Sequence, residues 1–355
     1  MNLPELFTLL VERRATHMHI VPGSPILLRN GSQLTPVSDQ LVSPADTAAL
    51  LESFLSEEQR YYFFENKDLS ITQSIPGLSR FRVNALQQRG SVAFIISTHP
   101  PAPPTLEELG FPDNIKSLLG SIKGGLIVLC GTRYSGKSST LAALVSYLLE
   151  TRAVQIVSFE NPIDYLHKNR KGTIIQREIG TDVLNYEAAL ETLSYQQADV
   201  VVTTEMETYE QISAAVSLAL GGTLCIAVMK VPSVMLACES LMNVYPAHLS
   251  QHARNIVAAA TECIISHTLL RKSNGPGVVP AFEVLAGISP VKAMLREGKT
   301  GLLSGVMSQA GRDFGMQTQE QALRVLVKKN AISQEEALSK SFRPDEFRKM
   351  LSAQM

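Results

Sequence analysis

A glycine-rich octapeptide in the middle of the chain constrains the fold more than any other feature of the sequence. Residues 131–138 read Gly-Thr-Arg-Tyr-Ser-Gly-Lys-Ser, which fits the pattern G-x-x-x-x-G-K-S. The apolar stretch Leu126–Cys130 precedes it and is typical of a buried strand. Apolar residues follow it at helical spacing, namely Leu141, Leu144, Val145 and Leu148. Because such a loop needs a strand before it and a helix after it, the sequence predicts a phosphate-binding loop.

The sequence of the loop also predicts which ligands it binds. Successive backbone N–H groups and the positive end of the following helix favour bound phosphates, and Lys137 is expected to reach the terminal ones. The hydroxyl of Ser138 is the expected ligand of Mg²⁺, which enters with the nucleotide. ATP and Mg²⁺ are therefore the predicted cofactors. The predicted phosphate-binding residues are Gly131, Thr132, Ser135, Gly136, Lys137, Ser138 and Ser139.

Short apolar strands alternate with amphipathic helices around the loop, which predicts a parallel α/β sheet. The predicted strands are Leu126–Cys130, Gln155–Ser158, Val200–Thr204 and Leu224–Val228. The weakly polar stretch from Ala214 to Met229 is interrupted by two glycines and is shorter than a membrane helix requires. It is interpreted as a helix, a glycine stop and a buried strand, so no membrane insertion is expected.

Acidic residues follow two of these strands, where open α/β sheets bind ligands. Glu160 and Asp164 come just after Gln155–Ser158, and Glu205 comes just after Val200–Thr204. Each one alone could equally be a helix cap or a solvated acid. Their joint placement beside a phosphate loop favours a catalytic role, because phosphoryl transfer needs carboxylates for the metal and for the attacking water.

A proline-rich linker at residues 100–104 separates two predicted domains, because prolines fix φ and favour an extended spacer. Residues 1–99 are expected to form a small α+β domain with an opening helix, a hairpin around Asn30-Gly31 and a strand at Arg80–Asn84 whose arginines share one face. Residues 105–355 are expected to form the α/β domain.

The charge and the composition of the chain argue against several classes of function. The chain has 32 basic and 33 acidic residues, a net charge of −1 and no run of five like charges, which argues against a nucleic-acid partner. The four cysteines are far apart, so neither a zinc site nor a disulfide framework is expected. No basic segment followed by an apolar stretch opens the chain, and a cytoplasmic location is expected.

Taken together, these motifs resemble the PilT/PilU-type ATPases of type IV pilus retraction, within the larger secretion-ATPase family. The resemblance covers nearly the whole chain. Besides the loop, the matching stretches are Ala15–Ile20, Arg80–Ala85, Glu160–Asp164, Gln176–Glu178, Asp199–Met206, Gly315–Thr318 and, in overall character, Pro290–Glu297.

The resemblance implies a PAS-like N-terminal domain, a RecA-like motor domain with a C-terminal helical region, and a ring of six subunits. It further implies ATP hydrolysis for twitching motility, at the inner-membrane base of the pilus and against a platform protein. The ring could be homomeric or mixed with a paralogue. Arg80 and Arg82 are the implied trans-acting arginines, and Asp164 aligns with the catalytic glutamate.

Several positions depart from the family pattern. Tyr134 stands where the loop usually has glycine, and Asn161 stands where a preceding aspartate is expected. The Gly-Glu-Met-Arg-Asp signature reads Thr-Glu-Met-Glu-Thr at residues 204–208, Lys230 replaces a histidine and Ser97 replaces an arginine. These changes predict slow hydrolysis.

Three functions from different classes are compatible with these patterns. The first is a hexameric motor that hydrolyses ATP, with weakened turnover. The second is a nearly inactive ATP-binding accessory subunit that acts with a complete paralogue. The third, a nucleic-acid motor, is disfavoured by the neutral charge balance and the lack of a recognisable stacking surface.

Overall fold

The computed structural model describes residues 3–30, 33–99, 102–193, 195–275 and 277–352. Contacts within the chain divide it into two compact units. The first unit comprises Met1–Pro103 together with Pro162–Leu166, and the second comprises Pro104–Asn161 together with His167–Met355. The sequence did not predict that the short stretch Pro162–Leu166 packs with the first unit.

The first unit is built on a six-stranded sheet in which all neighbouring strands are antiparallel, in the order β3-β2-β1-β6-β5-β4. Its strands are β1 (His17–Ile20), β2 (Pro25–Asn30), β3 (Gln33–Leu41), β4 (Asp68–Ile75), β5 (Ser79–Gln88) and β6 (Ser91–His99). Its helices are α1 (Leu3–Glu12), α2 (Pro44–Phe54) and α3 (Glu57–Asn66).

The predicted opening helix, the hairpin and the arginine-bearing strand are all present in this unit. Strands β2 and β3 pair with Leu28 opposite Thr35, and the turn residues 31–32 lie outside the described residues. Along β5, buried and partly buried residues alternate, as the period of two predicted. Phe81 of β5 stacks on Phe7 of α1 with ring centroids 4.2 Å apart, which anchors the helix to the sheet.

The second unit contains a seven-stranded sheet in the order β13-β12-β7-β11-β10-β8-β9. Strands β7 to β11 and the β7–β12 pair run parallel, and only β12 and β13 are antiparallel to each other. These strands are β7 (Gly125–Gly131), β8 (Gln155–Glu160), β9 (Thr173–Glu178), β10 (Val200–Thr203), β11 (Leu224–Met229), β12 (Thr261–Arg271) and β13 (Val278–Ala286).

Helices cover both faces of this sheet. They are α4 (Asp113–Ser121), α5 (Lys137–Thr151), α6 (Tyr186–Leu193), α7 (Tyr209–Leu220), α8 (Val234–Asn243), α9 (Ser250–Ala260), α10 (Ser289–Glu297), α11 (Leu303–Phe314), α12 (Gln319–Lys328), α13 (Gln334–Lys340) and α14 (Pro344–Ser352). All residues of β7 are buried, and they alternate between two apolar clusters: Val128 faces one cluster and Leu129 the other. A strand buried on both faces explains why its sequence is continuously apolar.

The four predicted parallel strands are confirmed as β7, β8, β10 and β11. The stretch from Ala214 to Met229 is also as predicted, since α7 ends before Gly221 and β11 follows. Among the described helices, none is long and apolar enough to span a bilayer. The four cysteines are free and buried.

Candidate nucleotide-binding site

The glycine-rich loop connects the end of β7 to the start of α5. Gly131 has φ of 151° and Gly136 has φ of 97°, a region of the backbone that side chains disfavour. A Cβ at Gly131 would collide with Oγ of Ser135 and lie 2.9 Å from the carbonyl oxygen of His267. The first glycine is therefore required for close packing and the second for the left-handed turn into the helix.

Lys137 begins α5 and folds its ammonium group back into the loop. Its Nζ donates hydrogen bonds to the carbonyl oxygens of Gly131 at 2.9 Å and Thr132 at 2.5 Å. A longer contact of 3.4 Å reaches Oγ of Ser135. Burial lowers the pKa of Lys137 from its ordinary value, Lys230 lowers it further, and Cys130 opposes the shift. The ammonium group is thus held inside the loop rather than extended into solvent.

Tyr134, the residue that departs from the expected glycine, adopts a left-handed backbone with φ of 60°. Such a conformation costs a non-glycine residue about 1–2 kcal/mol. The side chain is 84% exposed. The loop therefore carries backbone strain at Tyr134, which a glycine at this position would avoid.

Glu160 ends β8 and is buried. Its Oε1 accepts hydrogen bonds from Oγ of Ser158 at 2.8 Å and from Nε2 of Gln176 at 3.0 Å. Buried charges are tolerated when they are hydrogen-bonded in this way. The carboxylate is consequently fixed in place at the carboxyl edge of the sheet.

Asn161 and Glu205 are brought together because β8 and β10 are neighbours. Nδ2 of Asn161 donates to Oε1 of Glu205 at 3.1 Å, and the backbone N–H of Asn161 donates to Oγ1 of Thr204 at 3.0 Å. The backbone N–H of Glu205 donates to Oγ1 of Thr203 at 3.3 Å. The amide at position 161 therefore orients the carboxylate of Glu205, which an aspartate could not do by donation.

Two of the departures from the family pattern form an ion pair with each other. Nζ of Lys230, just after β11, lies 2.6 Å from Oε1 of Glu207, just after β10. Both side chains are about half exposed, so solvent screens the pair and its contribution to stability is about 1 kcal/mol or less. The charges at these two positions compensate each other.

Thr208 has a structural role at the start of α7. Its Oγ1 accepts from the backbone N–H of Gln211 at 3.3 Å, and Oε1 of Gln211 accepts from the N–H groups of Glu207 and Thr208. Threonine and aspartate both cap helices well. The substitution at position 208 therefore preserves the start of this helix.

Ser138 and Ser139 follow Lys137 in the first turn of α5, whereas three predicted site residues, Arg80, Arg82 and Asp164, belong to the first unit. Arg80 donates from Nε to the carbonyl oxygen of Ile163 at 2.8 Å and from Nη1 to Oγ of Ser74 at 2.9 Å. Arg82 donates from Nε to Oγ of Ser70 at 2.8 Å. Asp164 follows directly after Ile163, so Arg80 holds the backbone beside this carboxylate. Ser97 of β6 pairs with Arg82 in register.

A cavity of about 410 Å³ lies beside the loop, and no pattern in the sequence predicts it. Its lining includes loop residues Thr132–Ser135 and residues 339–342, which form the end of α13 and the two positions after it. His267 of β12 also lines it, and burial together with Lys137 lowers the pKa of His267 to about 3. These residues lie far apart in the sequence, and they are brought together by the pairing of β12 with β7 and by the packing of α13 against β12.

A largely parallel sheet, a glycine-rich loop holding a lysine at the end of strand β7, and acidic residues at the ends of the neighbouring strands β8 and β10 define a P-loop nucleotide-binding protein. The sequence profile of the type II/IV secretion system protein family matches residues 75–328. The chain belongs to this family of secretion ATPases.

Full-length relatives give the same result. The chain is 30% identical to the type IV pilus retraction ATPase PilT of Pseudomonas aeruginosa, over 98% of this chain and 100% of PilT. It is also 30% identical to the type IV pilus ATPase PilU of the same organism, over 99% of this chain and 91% of PilU. A crystal structure of the pilus retraction motor PilT with bound ADP superposes with a TM-score of 0.89 at 30% identity, covering 99% and 100% of the two chains. The resemblance predicted from the motifs is confirmed.

Proposed function

We propose that this chain is an ATP-hydrolysing motor of type IV pilus retraction whose turnover is weakened. The observation that carries the proposal is the lysine ammonium group inside a strand-to-helix glycine loop, on the sheet edge that also bears two fixed carboxylates. The proposed architecture is a PAS-like domain in residues 1–99, a linker at 100–104 and a RecA-like domain in 105–355. The proposed assembly is a ring of six, homomeric or mixed with a paralogue, at the cytoplasmic base of the pilus against an inner-membrane platform protein.

Residues of the second unit are proposed to bind the phosphates and the metal ion. The backbone N–H groups of the loop and Lys137 would bind the phosphates of ATP, and the hydroxyl of Ser138 would bind Mg²⁺. Glu160 and Glu205 are the proposed carboxylates for the water shell of the metal, since both are fixed by hydrogen bonds. Mg²⁺ would neutralise the charge that develops on the phosphates.

The residues of the first unit are proposed to act on the attacking water and the transferred phosphate. Asp164 would orient the water. Arg80 or Arg82 would supply positive charge to a nucleotide bound by an adjacent subunit. The contact from Arg80 to Ile163 supports a shared role for Arg80 and Asp164, because one holds the backbone beside the other.

The second candidate is an ATP-binding accessory subunit that hydrolyses almost nothing without a paralogue. The substitutions Asn161, Asp164 and Lys230 favour it. The ion pair between Lys230 and Glu207 and the helix cap at Thr208 count against it, because these changes preserve local order at the site. Turnover that is weak but dependent on the loop lysine separates the motor from the inactive subunit.

We expect the purified protein to release phosphate from ATP only when Mg²⁺ is present, and Lys137→Ala to abolish that release. The reason is that the metal and the lysine together neutralise the phosphate charge. A steady-state phosphate assay on the assembled protein, with and without chelator, is the measurement. Equal phosphate release from the parent protein and Lys137→Ala would show that this chain is not an ATPase. Binding of ATP without phosphate release would favour the accessory subunit.

We expect Arg80→Ala to lower turnover roughly tenfold and to leave ATP affinity within about threefold, because a carboxylate displaced by a fraction of an ångström loses rate rather than ground-state binding. Arg82→Ala is the matched variant, since Arg82 lies on the same face of β5 and bonds to Ser70 rather than to Ile163. Turnover and calorimetric affinity are measured on both. Full hydrolysis in both variants would make the arginines purely structural.

A further inference from the structure

The segment between β11 and α8 runs along the carboxyl edge of the seven-stranded sheet, next to the glycine-rich loop. Met229, the last residue of β11, lies opposite Cys130 of β7, so the next residue, Lys230, is placed beside Gly131. Lys230 is close enough to Lys137 to lower the pKa of that lysine. The position of this segment therefore sets how near the ammonium group of Lys230 lies to phosphates bound in the loop.

Two side chains from the antiparallel strands β12 and β13 hold this segment. Oε2 of Glu283 accepts a hydrogen bond from the backbone N–H of Val234, the first residue of α8, at 2.9 Å. Ser266, which pairs with Glu283 in register, donates from Oγ to the carbonyl oxygen of Pro232 at 2.8 Å. A carboxylate interacts favourably with a helix N-terminus, and a hydrogen bond to an ionised acceptor is stronger than one to a neutral acceptor. Ionised Glu283 therefore holds the start of α8 more firmly than the protonated acid would.

Capping of α8 alone does not account for Glu283. The helix already has a cap from its own sequence, since Oγ of Ser233 accepts a hydrogen bond from the backbone N–H of Leu236 at 3.2 Å. Glu283 is partly buried, and removing a carboxylate from water is costly unless hydrogen bonds offset the loss. The carboxylate is thus an additional attachment of the segment to β13.

The surroundings of Glu283 place its protonation near neutral pH. Burial raises the pKa of this carboxyl group to about 7, Glu320 raises it as well, and the N–H of Val234 and the charge of Arg343 lower it. The titratable or charged side chains that face Glu283 in the described part of the chain are Glu320 of α12, Arg343 after α13, Cys130 of β7 and Cys238 of α8. Both cysteines stay neutral, because burial raises the pKa of their thiols. The carboxyl group is therefore mostly protonated at about pH 6 and mostly ionised at about pH 8.

We propose that Glu283 is a positioning residue for ATP hydrolysis: its carboxylate fixes residues 230–234 and, through them, the ammonium group of Lys230 beside the phosphate loop. The inference rests on the proposed function. Protonation of Glu283 weakens the hydrogen bond from Val234 and loosens the segment, so turnover falls as the pH is lowered through neutrality. ATP affinity changes little, because Lys137 and the backbone N–H groups of the loop stay in place.

The test compares steady-state phosphate release by the intact wild type and by Glu283→Gln, whose side chain has the shape of the protonated acid and no charge. Phosphate groups titrate in a similar pH range, so the quantity compared is the ratio of the two kcat values at each pH. This ratio is expected to be close to 1 at about pH 6 and about 5 in favour of the wild type at about pH 8, while KM stays within about twofold. A ratio that is the same at every pH would overturn the proposal.

Glu320→Gln is the matched variant, because it keeps Glu283 and removes a negative charge that raises the pKa of that residue. Its turnover is expected to rise with pH as in the wild type, but at a lower pH. A rise at the same pH as in the wild type would count against Glu283 as the titrating group. Glu320→Gln also decides the question if Glu283→Gln does not fold.

Lys230→Met tests whether Glu283 acts through the lysine. In a chain that carries Lys230→Met, the further change Glu283→Gln is expected to alter kcat at about pH 8 by less than about twofold, since the group that it positions is gone. A fivefold loss that persists without Lys230 would overturn the positioning role. A wild type that releases no phosphate at any pH would overturn the proposed function, and this inference with it.

Discussion

Lys137→Ala is expected to weaken ATP binding about 100-fold. The substitution removes a side-chain cation that hydrogen-bonds inside the glycine-rich loop, and charge-assisted hydrogen bonds to phosphate contribute about 1.5–3 kcal/mol. The carbonyl oxygens of Gly131 and Thr132 also lose the lysine as a donor, and that of Thr132 keeps the backbone N–H of Ser135 at 3.3 Å. Calorimetric titration with ATP measures the effect.

Lys123→Ala is the control for this prediction. Lys123 is exposed and lies just before β7, so its removal changes the net charge equally without touching the loop. It should leave ATP affinity within about twofold. Unchanged affinity in Lys137→Ala would show that the loop binds no phosphate in this chain.

Asp164→Glu is expected to accelerate the chemical step, by up to about 100-fold. The aspartate carboxylate has a reach about 1.5 Å shorter than that of glutamate, one C–C bond, and a misplacement of about 1 Å reduces rates on the order of 100-fold. Single-turnover hydrolysis measures this step apart from product release. Asp164→Asn is the matched variant with the shorter chain and no charge, and it should be slower than the parent.

Lys230→His tests whether a second position acts on the same water. The lysine forms an ion pair with Glu207, so its replacement alone leaves that glutamate without a partner, and Glu207→Gln in the same chain removes this complication. Asp164→Glu and Lys230→His should be non-additive if both act on one water. If the combined variant forms rings, binds ATP and is no faster than the parent, the defect lies elsewhere, and the strained loop residue Tyr134 is the next position to change.

The loop and the four parallel strands could be predicted because each is encoded locally. A glycine pattern, a continuous apolar run and a helical stripe each need only a short window of sequence. Strands β9, β12 and β13 were missed. These strands lack a clear pattern of apolar residues in the sequence. Strand β9 is only partly buried, and β12 is a buried strand that contains the polar residues Ser266 and His267.

The relations between distant residues could not be predicted for a different reason. The ion pair between Lys230 and Glu207 depends on β10 and β11 being neighbours, and the cavity beside the glycine-rich loop depends on where the last helices pack. Sequence spacing carries no information about either. The motifs therefore predicted the glycine-rich loop and the acidic residues at the strand ends, whereas the groups that surround them could be found only in the structure.

The packing of Pro162–Leu166 with the first unit has a practical consequence for dissecting this protein. The chain passes between the two units after Pro103, after Asn161 and again after Leu166, so the proline-rich linker is only one of three junctions. A protein shortened to residues 105–355 would keep Asp164 but lose Arg80, whose guanidinium bonds to the carbonyl oxygen of Ile163. Rates measured on such a fragment would be those of a protein in which the backbone beside Asp164 has lost its hydrogen bond from Arg80. Intact chains, rather than isolated domains, are the material in which its catalytic chemistry has to be studied.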